Sequence, residues 1–190
     1  NMIYQIDKRM DNQSKEILEN LVGQFLLNIW VRGMPRDSKI IEGMELFEIV
    51  FETEKERAKI FGKVENEIDG DEYVKFEIER DAEIDYAEYI PIKIENILAE
   101  AFILSDEVSW RKCENQWRVV SDVALLLIIN GKKILLVAED SLAGFVEMWR
   151  NEADIKKKIE DEESVWTAFK TDRIDEIHRI YTKLMGNDNS

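Results

Sequence analysis

Between Asp122 and Trp149 the chain runs through seven consecutive apolar residues, Val123-Ala-Leu-Leu-Leu-Ile-Ile129, then Asn130-Gly131, then Lys132-Lys-Ile-Leu-Leu-Val-Ala138. Asn-Gly accepts positive φ at both central positions of a type I′ turn, and the flanking runs have the length of strands, so the stretch predicts a β-hairpin. The first run has no polar alternation. It is therefore expected to be buried on both faces, with one layer of structure above it and another below. After Glu139-Asp-Ser141, the segment Leu142-Ala-Gly-Phe-Val-Glu-Met-Trp149 is expected to return as a third strand, with Gly144 at a bulge or a point of close approach.

Other segments punctuate themselves in the same way. Met44 to Phe51 and Ala58 to Val64 read as strands joined by Thr53-Glu-Lys-Glu. Gly33-Met-Pro35-Arg-Asp-Ser38 reads as a loop, and Asp69-Gly70 supplies a hairpin turn. Beyond that turn Val74, Phe76 and Ile78 alternate with Lys75, Glu77 and Glu79, as in a strand with one face in water. Asp81 to Tyr89 is an acidic connection, and Pro91 among Ile90, Ile92 and Ile94 suggests a short edge segment. Residues 17 to 31 admit two readings. The spacing of Ile17, Leu18, Leu21, Val22, Phe25, Leu26, Ile29 and Trp30 predicts a helix, whereas the β-branched and aromatic second half reads as a strand entered through Gly23.

Lys156 to Lys158 beside Glu160 to Glu163 read as a solvated helix or connection. The chain is expected to close on an amphipathic helix carrying Ile174, Ile177, Ile180, Tyr181 and Leu184 in one stripe, capped by Thr171 or Asp172 and ended by Gly186. An internal echo relates Leu21, Phe25, Leu27 and Val31 to Leu98, Phe102, Leu104 and Val108, all displaced by 77 positions. The expected fold is thus α+β: a mainly antiparallel sheet built from two similar hairpin-containing halves, residues 17–80 and 94–149, with the C-terminal helix packed on it. One domain would span residues 2–186, and 187–190 form a polar tail.

Charge is the clearest functional signal. The 190 residues carry a formal net charge of −15, which disfavours bare nucleic acid and anionic membrane as partners because phosphate-neutralising Lys and Arg are scarce. From Glu65 to Glu100 thirteen acids stand against Lys75, Arg80 and Lys93, so ten of the fifteen excess negative charges lie on one predicted hairpin and the connection after it. A rigid face of that density attracts a basic surface. The expected docking residues are Glu65, Glu67, Asp69, Asp71, Glu72, Glu77 and Glu79, with Trp110 and Trp117 of the locally basic stretch Ser109 to Arg118 as aromatic anchors, although tryptophans so placed more often cap the end of a core.

Motifs for catalysis are scarce by comparison. His178 is the only histidine and Cys113 the only cysteine, so a two-histidine metal site and an internal disulfide are excluded. Phosphate-binding glycine motifs and a GxSxG elbow are missing from the sequence. Glu65, Glu67, Asp69 and Gly70 match the start of a calcium-binding EF loop, but Glu72 and Phe76 stand where an apolar residue and a bidentate carboxylate belong. No catalytic residue, metal or cofactor is therefore assigned. Met2-Ile-Tyr-Gln-Ile-Asp7 lacks the apolar core of a signal peptide, and with a lone cysteine the expected compartment is the cytoplasm.

In size, acidity and fold class this profile is similar to that of bacterial immunity proteins and nuclease inhibitors, a likeness that no motif carries. The leading expectation is a non-catalytic acidic protein that neutralises or regulates a basic protein partner. The alternatives are a structural or oligomeric module and a hydrolase using carboxylates, which would require a pocket holding carboxylates of perturbed pKa.

Overall fold

The computed structural model describes residues 2–33, 40–138, 144–166 and 174–186. The expected hairpin forms as β7 (Asn115–Ile129) and β8 (Lys132–Ala138), with Asn130 at φ 51° and Gly131 at φ 70°. β9 (Val146–Trp149) returns along β8, and β3 (Met44–Thr53) pairs with β9. β2 (Phe25–Gly33) pairs with β3 and with the first part of β6 (Ile90–Lys112), whose later part pairs with β7. These pairings close on themselves, so β7, β8, β9, β3, β2 and β6 form a barrel. β4 (Arg57–Asn66) and β5 (Glu72–Glu79) extend the sheet outward from β3.

The uniformly apolar run is buried on both sides, as its composition demands. Leu125, Leu127 and Ile129 join Leu26, Ile29, Leu46 and Leu136 in one core. Val123 and Ala124 join Leu135 and Val137 in a second, with Ile155 of α2 (Glu152–Glu160) and Trp166 of a single 3-10 helix (Glu162–Trp166). At the far side of the first core, Gly144 and Gly62 leave no room for side chains. A Cβ on Gly144, itself at φ +67°, would lie 2.8 Å from the Gly62 carbonyl oxygen, the close approach expected at this position.

Both readings of residues 17–31 are half right. α1 (Asn12–Leu21), capped by Asp11, buries Ile17, Leu18 and Leu21 in the same core as Phe76 and Ile78 of β5, then Gly23 at φ +89° turns the chain into β2. The segment at Pro91 is the start of β6, a strand of 23 residues, and lies opposite Trp30 of β2. β6 has only that one strand neighbour until Leu98 meets Ile129, which is why a residue without an N–H is tolerated there. β1 (Ile3–Lys8) runs parallel to β7, so the sheet is mixed. A shift of 77 carries β2, β3 and β4 onto parts of β6, β7 and β8, but carries α1 onto the start of β6 and β5 onto the end of β9 and α2. The expected loop at 34–38, the expected strand start at 142–143, the caps Thr171 and Asp172 and the tail at 187–190 lie outside the described residues.

The expected C-terminal helix is a strand. β10 (Glu176–Lys183) pairs antiparallel with β6 from Glu176 opposite Ser109 to Lys183 opposite Phe102. The helical stripe is accordingly dispersed: Leu184 is buried, Ile177 is half-buried, and Ile180 and Tyr181 are exposed. What the β-conformation gains is the burial of Arg179. Its Nε donates to Asp106 Oδ1 at 2.6 Å and its Nη2 to Oδ2 at 2.7 Å, while Nη1 donates to the Ile159 carbonyl at 2.8 Å. Trp166 Nε1 donates to the same Asp106 Oδ2 at 2.8 Å. The Asp106 carboxylate thus fastens β10 and the 3-10 helix to β6, and the Arg179 guanidinium adds the end of α2. A dense run of β-branched and aromatic residues (Ile177, Ile180, Tyr181, Thr182) suits that strand as well as the spacing of its isoleucines suits a helix.

Removing one partner of such a pair leaves a buried charge unanswered, so Arg179→Met should destabilise the protein by roughly 3–5 kcal/mol in denaturant unfolding. The double variant Asp106→Leu/Arg179→Met should recover part of that loss. An unfolding midpoint for Arg179→Met equal to wild type would mean that β10 is held by something else.

Candidate functional site

Most of the acids expected to dock a partner are engaged within the chain. The Lys8 ammonium, at the end of β1 and 3% exposed, lies 3.2 Å from Glu65 Oε1 and is ion-paired with Glu67. Asp69 accepts from the Tyr73 hydroxyl at 2.5 Å and from the Asp71 backbone N–H at 3.1 Å, closing the turn of the hairpin. Glu77 pairs with Lys63 and Glu79 with Lys59, each at 3.4 Å. Asp71 and Glu72 are half-buried, and Glu72 Oε2 is shielded without a hydrogen-bond partner. Four of the seven hairpin carboxylates are thus paired with three lysines of β1 and β4, and a fifth, Asp69, closes the turn.

Trp110 and Trp117 stand opposite one another across β6 and β7, with only Cys113-Glu114 as a tight turn, at φ 50° and 67°. Both rings are buried, stacked 6.2 Å apart, and Tyr4 stacks on Trp117 at 4.3 Å. They fill the second core. Cys113 is exposed at the turn, and His178 is exposed on β10 opposite Glu107. Among the described residues no group of three or more His, Cys, Asp or Glu is arranged to hold a metal.

The free negative charge lies instead on residues 80–89, which cross the outer face of β2, β3 and β4 as a strap. Ile84 and Tyr89 are buried there with Val50 of β3, beside Trp30. Asp81, Glu83, Asp85 and Glu88 are exposed and form no ion pair among the described residues. Between them Tyr86 stands 62% exposed, its ring edge-on to Trp30 at 5.1 Å and its hydroxyl accepting from Arg57 Nη2 at 3.2 Å.

A polar network under the strap fixes its course. Glu48 accepts from the Tyr89 hydroxyl and from Arg32 Nε at 3.4 Å, and Glu52 accepts from Asn28 Nδ2 at 3.0 Å, Trp30 Nε1 at 3.2 Å and Arg57 Nε at 3.0 Å. Burial pushes both carboxylates up, but these donors outweigh it and hold them below the usual glutamate value. Burial, then the Glu48 carboxylate, pushes the Tyr89 phenol up to about 12, so its hydroxyl stays a donor at every physiological pH.

One carboxylate of raised pKa does line a cleft. Asp122 is buried in the lining of a cavity of about 690 Å³ beside the β1–α1 connection, which Arg9, Lys15 and Lys75 share with the acids Asp7, Asp11 and Glu107. It sits where β6 and β7 slip register between Leu104 and Ser105. Ser105 Oγ donates to its Oδ1 at 2.5 Å and the Met10 N–H to its Oδ2 at 2.7 Å. Burial raises its pKa, and those two donors only partly oppose this. Asp122 thus ties the β1–α1 connection to β7 through Oδ2, while Oδ1 bonds across to β6.

Because the folded protein binds the Asp122 proton more tightly than the unfolded chain does, this residue costs stability as pH rises from the usual aspartate range through its folded pKa. Asp122→Asn, which can donate to Ser105 and accept from Met10, should remove that slope and be at least as stable as wild type at neutral pH. Asp122→Ala should lose about 1–3 kcal/mol, since two buried donors lose their acceptor. A wild-type minus Asp122→Asn stability difference that is flat from acid to neutral pH would contradict the assignment.

No family model, no curated protein and no solved structure matches this chain. The structure brings Glu65 and Glu67 together around Lys8 and places Trp110 and Trp117 in a core. The strap residues escaped sequence reasoning because their charge hides their anchors. The signal available was the isolated pair Ile84 and Tyr89 inside an otherwise acidic connection.

Proposed function

We propose that this chain is a non-catalytic acidic binding protein, immunity- or inhibitor-like in role, that docks a basic protein partner on the strap across β2, β3 and β4. The observation that carries this reading is the sorting of charge: Glu65, Glu67, Glu77 and Glu79 of the β4–β5 hairpin are paired with the chain's own lysines, while Asp81, Glu83, Asp85 and Glu88 are exposed and form no ion pair among the described residues, the Asp85 carboxylate accepting the Ala87 N–H of its own turn. Their backbone is held from beneath by Ile84, Tyr89 and the Glu48 network, so the charges are displayed on a fixed surface. Preset charge steers a complementary partner at little ordering cost. Tyr86 supplies an exposed aromatic of the kind that anchors interfaces, already oriented by Trp30 and Arg57.

The reading is tested by comparing Glu83→Lys/Asp85→Lys/Glu88→Lys with the control Asp71→Lys in capture from a native-host lysate, followed by kinetics on the isolated partner. Wild type and Asp71→Lys should capture the same basic protein, and the strap variant should associate with it about tenfold more slowly or worse. Wild-type association should also slow as salt rises. Equal association by the strap variant would move the interface elsewhere, and capture of no partner by any of the three would favour a structural module.

A further inference from the structure

The barrel is not covered evenly at its ends. Below Leu98, β6 keeps β2 on one edge and, among the described residues, has no strand on the other, because β7 stops at Ile129 and turns back into β8. β8 in turn meets β9 from Leu135 onward, leaving the edge at Lys132 to Ile134 without a second neighbour among the described residues. The two incomplete edges flank a cleft of about 540 Å³, within the size range of small-molecule sites.

The lining of this cleft is two-toned. Ile92 and Ile94 from β6 and Ile129 and Ile134 from the hairpin form its apolar wall, continuous with the main core. Its rim carries Lys93, Lys132, Lys133 and Arg150, a concentration of cations in a protein of net charge −15. Glu42 is the acid on that rim, and its carboxylate is committed to the backbone N–H groups of Arg150 and Asn151 at 2.9–3.0 Å. Lys93 is paired with Glu95 at 3.4 Å, whereas Lys132 and Lys133 are exposed and form no ion pair among the described residues.

We infer that this cleft is a binding site for a small amphipathic anion, with an aliphatic body against the four isoleucines and an anionic head between Lys132, Lys133 and Arg150. Branched aliphatic walls offer an apolar body dispersion contact and no hydrogen-bonding partner. The cationic rim beside an apolar wall selects a carboxylate or phosphate head over a neutral or cationic one. The site is separate from the strap and stands whether or not a basic protein docks there.

Dodecanoate titrated into the folded full chain by calorimetry tests the inference, with methyl-resolved NMR to locate it. The expected result is saturable one-to-one binding that shifts the Ile92, Ile94, Ile129 and Ile134 methyl signals. Lys132→Glu/Lys133→Glu, both on exposed positions and therefore expected to fold, should weaken it about tenfold. Dodecyl phosphate should bind as dodecanoate does, and dodecyltrimethylammonium should bind about tenfold more weakly or not at all. The strap variant Glu83→Lys/Asp85→Lys/Glu88→Lys should bind dodecanoate as wild type does, which separates this site from the proposed docking face. Absence of saturable dodecanoate binding, equal affinity in the double lysine variant, or equal binding of the ammonium analogue would each overturn the inference.

Discussion

The architecture depends on one strand changing partners. β6 leaves β2 and takes up β7 at Leu98, and from Phe102 to Ser109 it carries β10 on its other edge. Without the first pairing the ring of six strands would not close, and without the second the C-terminal segment would have no edge to join. A strand of this length is unusual, since most run about five or six residues, and its length is what allows it to serve the barrel below and a four-stranded extension with β1, β7 and β10 above. The register slip at Leu104 and Ser105 marks the junction and is where the buried Asp122 holds the β1–α1 connection.

Charge in this acidic chain is sorted by what lies beneath it. Asp106 is fully buried and answered by Arg179 and Trp166; Glu65 and Glu67 surround a buried lysine; Glu48 and Glu52 are saturated by donors under the strap. These carboxylates serve folding. The acids of the strap form no ion pair among the described residues, and neither do Lys132 and Lys133 of the barrel-end cleft. A net charge alone distinguishes none of these three populations, and yet their functional consequences differ.

What was legible in the sequence is what local chemistry decides. Asn130-Gly131 dictates its own turn, the unbroken apolar run beside it dictates burial on two faces, and Gly23 marks where helix gives way to strand within residues 17–31. The C-terminal strand was illegible because its decisive contact joins Arg179 to a residue 73 positions earlier in the chain, while the local spacing of isoleucines fits a helix. Cys113-Glu114 forms a tight turn with neither residue being glycine or asparagine, so Trp110 and Trp117 read as a loop rather than a cross-strand pair. The internal pairing of the acidic hairpin was illegible for a similar reason: Lys8 lies far from Glu65 and Glu67 in sequence, and the parallel pairing of β1 with β7 brings it near them. The cleft, assembled from β6, the β7–β8 turn and the end of β9, had no local signal at all.

Residue-resolved amide hydrogen exchange under native conditions tests the partner change of β6 most directly. From Phe102 to Ser109 both edges of the strand are paired, so every amide should be protected. From Ile90 to Asn96 only the edge facing β2 is paired, so protected amides should interleave with amides that exchange rapidly into the cleft. Uniform protection from Ile90 to Asn96, or rapidly exchanging amides between Phe102 and Ser109, would contradict this account of the barrel.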